Sequence, residues 1–159
     1  MVDQLPEELR ALKTRMKTFI NDVVIPREPE LMTGDANSGP VAMELKTKAK
    51  ESGLWALGHP AEIGGGGLPF MDFVYLNEVI GRSHWGQRAV GSLSMQDSIM
   101  LHLYASDEQR ERFLKPLVAG EIYPSVGLTE PEVAGSDPTQ MQATAVLDGD
   151  EWVINGHKW

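Results

Sequence analysis

Cysteine is absent from this chain, which excludes disulfide bonds, thiolate metal sites and a cysteine nucleophile at the same time. No run of apolar residues is long enough to cross a bilayer. The first residues, from Met1 to Pro6, also contain no apolar core of a signal peptide. These absences predict a protein of the reducing cytoplasm that has no membrane span.

Positive charge is scarce in the second half of the sequence. Eight of the 14 Lys and Arg residues lie in the first 50 positions, and none lies between Pro116 and His157. The net charge of −9 weighs against a nucleic-acid partner, because binding phosphates requires a basic surface. A polyanionic ligand would have to be held by backbone amides here, or by another segment.

What the sequence does contain is sufficient for a folded core. Hydrophobic residues make up 42% of the 159 positions and charged residues 23%, a composition that argues against disorder. This length fits one ordinary domain, or one domain together with the start of another.

Apolar residues at helical spacing predict five helices, with a loop over residues 33–40. The predicted helices cover residues 6–24, 40–52, 69–80, 95–104 and 106–114. We expect Pro26 to stop the first helix and Pro116 to end or kink the fifth, because proline cannot donate to the preceding turn. Gly53 is placed to cap the second helix, and Ser106 with Gln109 forms a capping box that opens the fifth.

A run of four glycines, residues 64–67, precedes the third predicted helix. The run lacks the Gly-Lys-Ser/Thr of a P-loop and follows no strand, so a flexible connector is favoured over a phosphate-binding loop. Pro69 stands at the first turn of the helix that follows. The face predicted to be apolar carries Phe70, Phe73, Val74 and Ile80.

The hydrophobic period changes after Gly120, where three strands are predicted. They cover residues 123–128, 142–147 and 151–154, and Asp148-Gly149-Asp150 joins the last two as a hairpin turn. Helices followed by strands indicate an α+β fold, with an all-helical bundle domain over residues 1–121 and the first strands of a β-domain over 122–159. Since three strands leave sheet edges unpaired, we expect this β-domain to be incomplete and the chain to be the front part of a larger protein.

No side-chain grouping in the sequence predicts catalysis or metal binding. The four histidines do not pair at helical spacing, and no carboxylate completes a recognisable set of metal ligands. Ser92 does not stand in a Gly-x-Ser-x-Gly elbow, and Ser136 lacks the strand-to-helix context of one. Glu130 and Glu132 flank Pro131, and we interpret them as solvated surface carboxylates rather than as an acid/base pair.

The loop over residues 126–138 is the strongest candidate for a ligand site. A predicted strand leads into it, and small and acidic residues fill it, so backbone N–H groups and hydroxyls are exposed beside a rigid sheet edge. Such donors suit a phosphate, or a heteroaromatic ring with carbonyl and imine acceptors. The same residues also suit a simple turn in which Thr and Ser cap backbone amides. From the residues alone, both interpretations stay open.

The order of residues in this loop resembles the flavin-binding signature of the acyl-CoA dehydrogenase family. The matching residues are Thr129, Glu130, Pro131, Ala134, Gly135, Ser136 and Asp137. Three further stretches, 59–65, 113–121 and 148–156, are similar to segments of the same family. Glu132 and Val133 occupy the place of one residue, and this longer loop resembles the branch that contains family members ten and eleven together with bacterial relatives.

The resemblance implies a truncated acyl-CoA dehydrogenase fold with part of an FAD site. Backbone groups of Val126 and Leu128 and the hydroxyl of Thr129 would face the flavin ring. Gly135 and Ser136 would approach the FAD diphosphate, and Ser136 would also lie near the acyl-CoA substrate. These residue types fit the roles, because glycine lets the backbone come close and hydroxyls donate without adding charge.

The resemblance also implies the reaction, which is the FAD-dependent α,β-dehydrogenation of an acyl-CoA thioester. The family's catalytic carboxylate lies in a C-terminal helical domain beyond the matching stretches, so no catalytic residue is expected among residues 1–159. Implied partners are the acyl-CoA substrate, an electron-accepting flavoprotein and further copies of the full-length protein in a dimer or tetramer. The alternative is a non-catalytic helical module of the same ancestry, which binds a partner protein or dimerises through its exposed strands.

Overall fold

The structure is a computed structural model that describes residues 5–33 and 39–159. The chain divides into two compact units, Met1–Pro124 and Ser125–Trp159, which we call the helical unit and the hairpin unit. Helices followed by an antiparallel pair of strands confirm the predicted α+β class. The assignment of residues 1–121 and 122–159 to two domains stays a prediction.

Helices account for most of the helical unit. The α-helices are α1 (Glu7–Thr18), α2 (Glu28–Thr33), α3 (Pro40–Glu51), α4 (Phe70–Ile80), α5 (Gly86–Ala89), α6 (Met95–Tyr104), α7 (Asp107–Gln109) and α8 (Lys115–Ala119). The second, third and fourth predicted helices are confirmed as α3, α4 and α6. The loop predicted over 33–40 falls largely outside the described residues. Across the part of the chain that is described, no helix has the length and apolarity that a bilayer crossing requires.

Pro26 does not stop the first helical segment, so that prediction is wrong. α1 passes into a π-helical stretch (Phe19–Val24), then a 3₁₀ turn (Ile25–Arg27), then α2. The Ile25 N–H donates to the Ile20 carbonyl, five residues back, so the helical register widens just ahead of the proline. Pro26 then lies in the first turn of the 3₁₀ segment, where its missing N–H is tolerated.

The last helical segment passes through Pro116 in the same way. The predicted capping box is confirmed: the Ser106 N–H donates to the Gln109 side chain at 2.9 Å, and the Gln109 N–H donates to the Ser106 hydroxyl at 3.3 Å. A π-helical stretch (Arg110–Leu114) follows α7 and leads directly into α8. Pro116 therefore lies in the first turn of a helix rather than at the end of one, because the π turn before it changes the register.

The end of α3 has the glycine cap that was predicted. Gly53 adopts a φ of +64°, in the left-handed region that favours glycine. Its N–H donates to the Lys50 carbonyl at 3.0 Å, and the next N–H, from Leu54, donates to the Ala49 carbonyl at 2.8 Å. This pair of bonds is a Schellman motif, which turns the chain out of α3 and into the core.

The main core lies between α1, the π-helical stretch after it, α3 and α4. Its fully buried large side chains include Met16, Ile20, Val24, Leu45, Leu76 and Ile80. On α4, Phe73 and Ile80 are buried as predicted, whereas Phe70 and Val74 are 66% and 41% exposed. Val79 and Leu76 take the remaining buried positions, so the buried face of α4 is rotated from the predicted one.

The four glycines form a hydrogen-bonded turn, so the prediction of a flexible connector is wrong. Their N–H groups donate in order to the carbonyls of Ala61, Pro60, Ala56 and His59. A Cβ on Gly65 would lie 2.3 Å from the His59 carbonyl oxygen, and one on Gly66 would lie 2.7 Å from the Leu57 Cα. Because all four N–H groups are used inside the turn, none is left to bind a phosphate.

The indole of Trp55 joins three separate stretches of the helical unit. Its Nε1 donates to the Val118 carbonyl of α8 at 2.8 Å. A Cβ on Gly91 or Gly120 would lie 2.6 Å or 2.5 Å from the indole ring, so neither position has room for a side chain. Both glycines also have positive φ values, of +69° and +70°. The Trp55 ring therefore fixes how close these two turns come to each other.

His59 is a buried polar group with both ring nitrogens bonded. Its Nε2 lies 2.7 Å from the Gly91 carbonyl oxygen, and its Nδ1 lies 2.7 Å from the Ser98 hydroxyl. A neutral ring can donate from Nε2 to Gly91 and accept at Nδ1 from the Ser98 hydroxyl, whose single proton is shared with a second acceptor, the Met95 carbonyl at 2.9 Å. Burial lowers the pKa of His59, and the hydrogen bond to Gly91 opposes this only in part.

The hairpin unit contains two strands, β1 (Thr144–Asp148) and β2 (Glu151–Asn155), close to the predicted bounds. They pair antiparallel, with Val146 opposite Val153, and Gly149 takes a φ of +62° in the turn. The strand predicted over 123–128 is wrong. Residues 123–128 belong to no sheet in the described part of the chain, and a strand is defined by hydrogen bonds to a neighbour.

The neutral state of His59 predicts acid sensitivity of the helical unit. The native pKa lies below the ordinary value of 6.5, so the unfolded chain takes up the proton first. The contribution of the neutral His59 ring to the free energy of unfolding is therefore complete above pH 6.5. It is lost as the pH falls below this value, by at most about 1.4 kcal/mol per pH unit. Urea unfolding between pH 8 and pH 5 measures this slope. We expect His59→Gln to reduce the slope and His84→Gln, at an exposed position, to retain it; an equal slope in both variants would remove His59 as its cause.

Packing against Trp55 predicts a large cost for a side chain at Gly120. We expect Gly120→Ala to lower the free energy of unfolding by about 2–4 kcal/mol, because left-handed backbone strain adds to a clash with the indole. Gly64→Ala is the matched control, since Gly64 has a φ of +90° with open space around its Cβ position. That variant should lose only about 1–2 kcal/mol in urea titrations. Equal losses of the free energy of unfolding in the two variants would show that the clash with Trp55 does not contribute.

Candidate functional site

All five residues that were predicted to bind cofactor or substrate lie in the hairpin unit. Val126 and Leu128 are 75% and 51% exposed, and Thr129 and Ser136 are exposed as well. Gly135 is half-buried. The loop therefore presents these groups at a surface, where a ligand can reach them.

Glu130 anchors the loop from within. It is only 3% exposed, and its two carboxylate oxygens accept the N–H groups of Gln142 and Ala143 at 2.7 Å and 2.9 Å. The Lys158 Nζ donates to the same carboxylate at 2.8 Å. The interpretation of Glu130 as a solvated surface carboxylate is therefore wrong, whereas Glu132 is exposed and lies 3.0 Å from His157.

The carboxyl of Glu130 is held in its charged form. The hydrogen bond from Lys158, followed by the N–H groups of Gln142 and Ala143, lowers its pKa to about 2. A carboxylate that stays ionised in neutral solution and has three donors bound to it is unsuited to proton transfer near pH 7. Its surroundings indicate that Glu130 holds the loop in place and does not transfer protons.

Lys158 and Trp159 hold the segment that precedes Glu130. The Lys158 Nζ donates to the Leu128 carbonyl at 3.0 Å and lies 3.5 Å from the Met141 sulfur. The Trp159 N–H donates to the Thr129 carbonyl at 3.0 Å. The carbonyls of Leu128 and Thr129 are thus occupied, while the Thr129 side chain remains at the surface.

The second half of the loop is a turn closed by Asp137. Its Oδ1 accepts from the Thr139 N–H at 3.1 Å and from the Thr139 hydroxyl at 2.6 Å, which caps the 3₁₀ turn Pro138–Gln140. These hydrogen bonds, the one from the Thr139 hydroxyl first, lower the pKa of Asp137. The Asp137 N–H donates to the Ala134 carbonyl at 3.1 Å, so Gly135 and Ser136 lie at the tip of a closed turn. The turn interpretation is therefore correct for this half, with Asp137 as the capping residue.

Within the described residues, nothing requires glycine at position 135. A Cβ built there meets no atom within 4 Å, and its φ is outside the left-handed region. In the described residues, no hydrogen bond joins Gly135 or Ser136 to Leu128 or Thr129. Lys158 and Trp159 thus hold the carbonyls of Leu128 and Thr129. Gly135 and Ser136 lie in a separate turn.

Charge in the hairpin unit is strongly one-sided. Lys158 is its one Lys or Arg, against the carboxylates of Glu130, Glu132, Asp137, Asp148, Asp150 and Glu151. Lys158 is already bonded to Glu130 and Leu128. An anionic group bound at this loop would therefore meet neutral donors, namely backbone N–H groups and hydroxyls. In the described ranges, no three His, Asp or Glu side chains are arranged to hold a metal ion.

Two residues that hold the candidate site were not recognised from the sequence, the buried Glu130 and its partner Lys158. One signal could have identified them: Lys158 is an isolated cation in an acidic stretch that follows Lys115. An isolated cation among carboxylates is expected to find one of them, but the sequence does not indicate which. The separation of 28 residues between Glu130 and Lys158 is set by the hairpin, which turns the chain back onto the loop.

Comparisons with known proteins identify the family of this chain. The sequence model of the family described as "Acyl-CoA dehydrogenase, N-terminal domain" matches residues 6–121. Acyl-CoA dehydrogenase family member 10 from Mus musculus is 34% identical over 98% of this chain, which covers 16% of that protein. A structure from Mycobacterium abscessus, assigned to the acyl-CoA dehydrogenases, is 36% identical, with a TM-score of 0.87 over 97% of this chain and 42% of its own.

A further solved structure shows the same fold at lower identity. It is a glutaryl-CoA dehydrogenase from Mycobacterium smegmatis in complex with FADH2, with a TM-score of 0.71 and 24% identity over 96% of this chain and 38% of its own. This chain therefore spans less than half the length of each of these three proteins. The likeness to family member 10 confirms the branch that the longer loop indicated. The family match covers most of the sequence, and the chain belongs to the acyl-CoA dehydrogenase family.

Proposed function

We propose that this chain supplies part of the FAD site and part of the acyl-CoA site of an acyl-CoA dehydrogenase. The observation that carries the proposal is the Leu128–Thr129 segment, which lies exposed in the flavin signature while its carbonyls are fixed by Lys158 and Trp159. A fixed and exposed backbone is what recognition of a rigid ring requires, because little order has to be gained on binding.

The donor set of the first half of the loop fits a flavin ring. The ring presents carbonyl and imine acceptors, and the Thr129 hydroxyl with the backbone groups of Val126 and Leu128 would face it. When bound, FAD would accept a hydride from the β-carbon of the acyl thioester. Neutral donors next to the ring would stabilise the negative charge of its reduced form.

The second half of the loop fits the other two ligand groups. The open space at Gly135 leaves room for a diphosphate to approach the backbone. The exposed hydroxyl of Ser136 would donate to the diphosphate and lie near the acyl-CoA substrate. Backbone amides and hydroxyls would make these contacts, since the single cation of the hairpin unit is bonded to Glu130.

The wider proposal follows from family membership. The reaction would be the α,β-dehydrogenation of an acyl-CoA thioester, with no catalytic residue assigned to this chain. We further propose that the protein forms a homo-oligomer, passes electrons to an acceptor flavoprotein and acts in the cytoplasm. Residues 1–121 would form the helical domain, and 122–159 would begin the β-domain.

The exposure of the hairpin favours a second candidate function, a non-catalytic interaction module. Three apolar side chains on one face of the hairpin, Leu147, Trp152 and Ile154, are 57%, 64% and 75% exposed. An unpaired sheet with an apolar face is a surface that another chain can cover. Flavin content separates the two functions, because a module of this kind needs no FAD.

Removal of the Thr129 hydroxyl tests the flavin site. We expect Thr129→Val, in the protein purified with its flavin, to weaken FAD binding about threefold to tenfold, through the loss of one neutral hydrogen bond. Flavin fluorescence titration and the reduction potential of the bound flavin measure the effect. Thr144→Val, at an exposed position on β1, is the matched control and should leave both values unchanged. Unchanged affinity and potential in Thr129→Val would remove Thr129 from the site.

The second candidate predicts self-association of the 159-residue chain. Sedimentation velocity at rising concentration should show a dimer that forms through the apolar hairpin face. Ile154→Lys places a charge on that face and should shift the equilibrium toward monomer by about tenfold or more. A monomer at all concentrations would exclude association through the hairpin face. Stoichiometric FAD in the protein purified at full length would exclude the module and retain the dehydrogenase.

A further inference from the structure

We propose that the Thr129 N–H is a further backbone donor to the flavin, and that Lys158 and Glu130 are positioning residues that set its direction. The inference rests on the proposed function for its ligand. It adds two residues that touch neither flavin nor substrate in the proposal and that act through the backbone of the loop.

Because the peptide bond is planar, the direction of the Leu128 carbonyl determines that of the Thr129 N–H. The Leu128 carbonyl and the Thr129 N–H belong to one peptide group, and no cis peptide occurs in the described residues. In a trans peptide these two groups point in opposite directions. Since the Leu128 carbonyl is bonded to the Lys158 Nζ at 3.0 Å, the Thr129 N–H must point away from Lys158.

The next peptide group is fixed from the same side. The Trp159 N–H donates to the Thr129 carbonyl at 3.0 Å, so the direction of this carbonyl is set by the residue that follows Lys158. Two successive peptide groups are therefore oriented by two successive residues of the chain. Rotation of the Leu128–Thr129 peptide would break the contact with Lys158.

Glu130 holds Lys158 in the place that this geometry requires. The Lys158 Nζ lies 2.8 Å from the carboxylate, whose other contacts are the N–H groups of Gln142 and Ala143 at the entrance to β1. The loop, the start of the hairpin and the end of the chain are thus joined at one buried carboxylate. Exposed ion pairs contribute little, but removal of one partner from a buried pair leaves a charge without compensation.

No neighbouring residue can take over the role of Lys158. The hairpin unit contains no other Lys or Arg, and its remaining ionisable groups are five carboxylates and His157. His157 lies 3.0 Å from Glu132, on the exposed side of the loop. Loss of the Lys158 side chain should therefore release the Leu128 carbonyl.

The test begins with the 159-residue chain without flavin. Amide hydrogen exchange, followed by NMR, reports the Trp159 N–H, which bonds the loop directly. We expect Lys158→Met to speed its exchange about tenfold or more, because the neighbouring anchor is lost. Glu132→Gln is the matched control: it changes a carboxylate to an amide in the same loop and should leave this exchange rate unchanged.

The second measurement is made on the protein purified with its flavin. Lys158→Met and Glu130→Gln should each weaken FAD binding about tenfold and shift the reduction potential of the flavin, because a hydrogen bond to the ring is misdirected. Lys158→Arg keeps a donor near both acceptors and should restore affinity to within about threefold. A residue with a merely structural role would change the midpoint of unfolding and leave the potential unchanged.

The outcomes separate this inference from the proposed function. Absence of FAD from the full-length protein contradicts the proposed function, and the amide exchange of Trp159 then decides the positioning by itself. Unchanged exchange in Lys158→Met, or unchanged affinity and potential with bound flavin, overturns the inference. If Lys158→Met does not fold, Glu130→Gln decides: a shifted potential in a folded hairpin supports the positioning role, and an unchanged one contradicts it.

Discussion

The packing of the Trp55 ring against Gly91 is the constraint on which the helical unit depends. Gly91 contacts two side chains at once. The indole of Trp55 occupies the space where a side chain would lie, and the Gly91 carbonyl accepts a hydrogen bond from His59. The same ring limits Gly120 and bonds the carbonyl of Val118. Any movement of the Gly91 turn would therefore break a buried hydrogen bond as well as a van der Waals contact. The close-packed interior is tied to a polar network, and neither can change alone.

In the hairpin unit, a charged side chain provides the order that close packing provides in the helical unit. It has little apolar interior, and its described side chains on both strands are exposed. The unit is held together by Glu130, whose carboxylate accepts hydrogen bonds from two backbone N–H groups and from the one ammonium group of the unit. A buried carboxylate requires such partners, because an unpaired charge in a dry environment is costly. Loop and hairpin are thereby fixed together without a large core, which leaves the exposed groups of the loop free for a ligand.

Sequence patterns were sufficient where the cause of a structure is local. The capping box at Ser106 and Gln109 and the glycine cap at Gly53 depend on residues within one turn, and both were predicted. The continuation of the helical segments through Pro26 and Pro116 was not, because a π turn ahead of each proline depends on the packing of the whole segment. A kink at Pro116 stays a prediction. The strand over 123–128 was wrong for a related reason, since a strand depends on a partner. The candidate site residues rest on a specific signature, but the link between Glu130 and Lys158 spans 28 residues and has no periodicity to reveal it.

The charge of the hairpin unit bears on the chemistry of its proposed ligand. A fixed cation beside a flavin would stabilise the reduced, anionic ring, but it would also attract any other anion. Here the single cation is bonded to a carboxylate that lies almost entirely out of solvent, so its charge is compensated before a ligand arrives. What remains at the surface is a set of neutral donors whose directions are fixed by the backbone. Such donors discriminate by geometry rather than by charge, because a hydrogen bond depends steeply on angle and distance. A site of this kind would select a rigid ring by the positions of its acceptors, and Lys158 would contribute to that selection while remaining bonded to the protein.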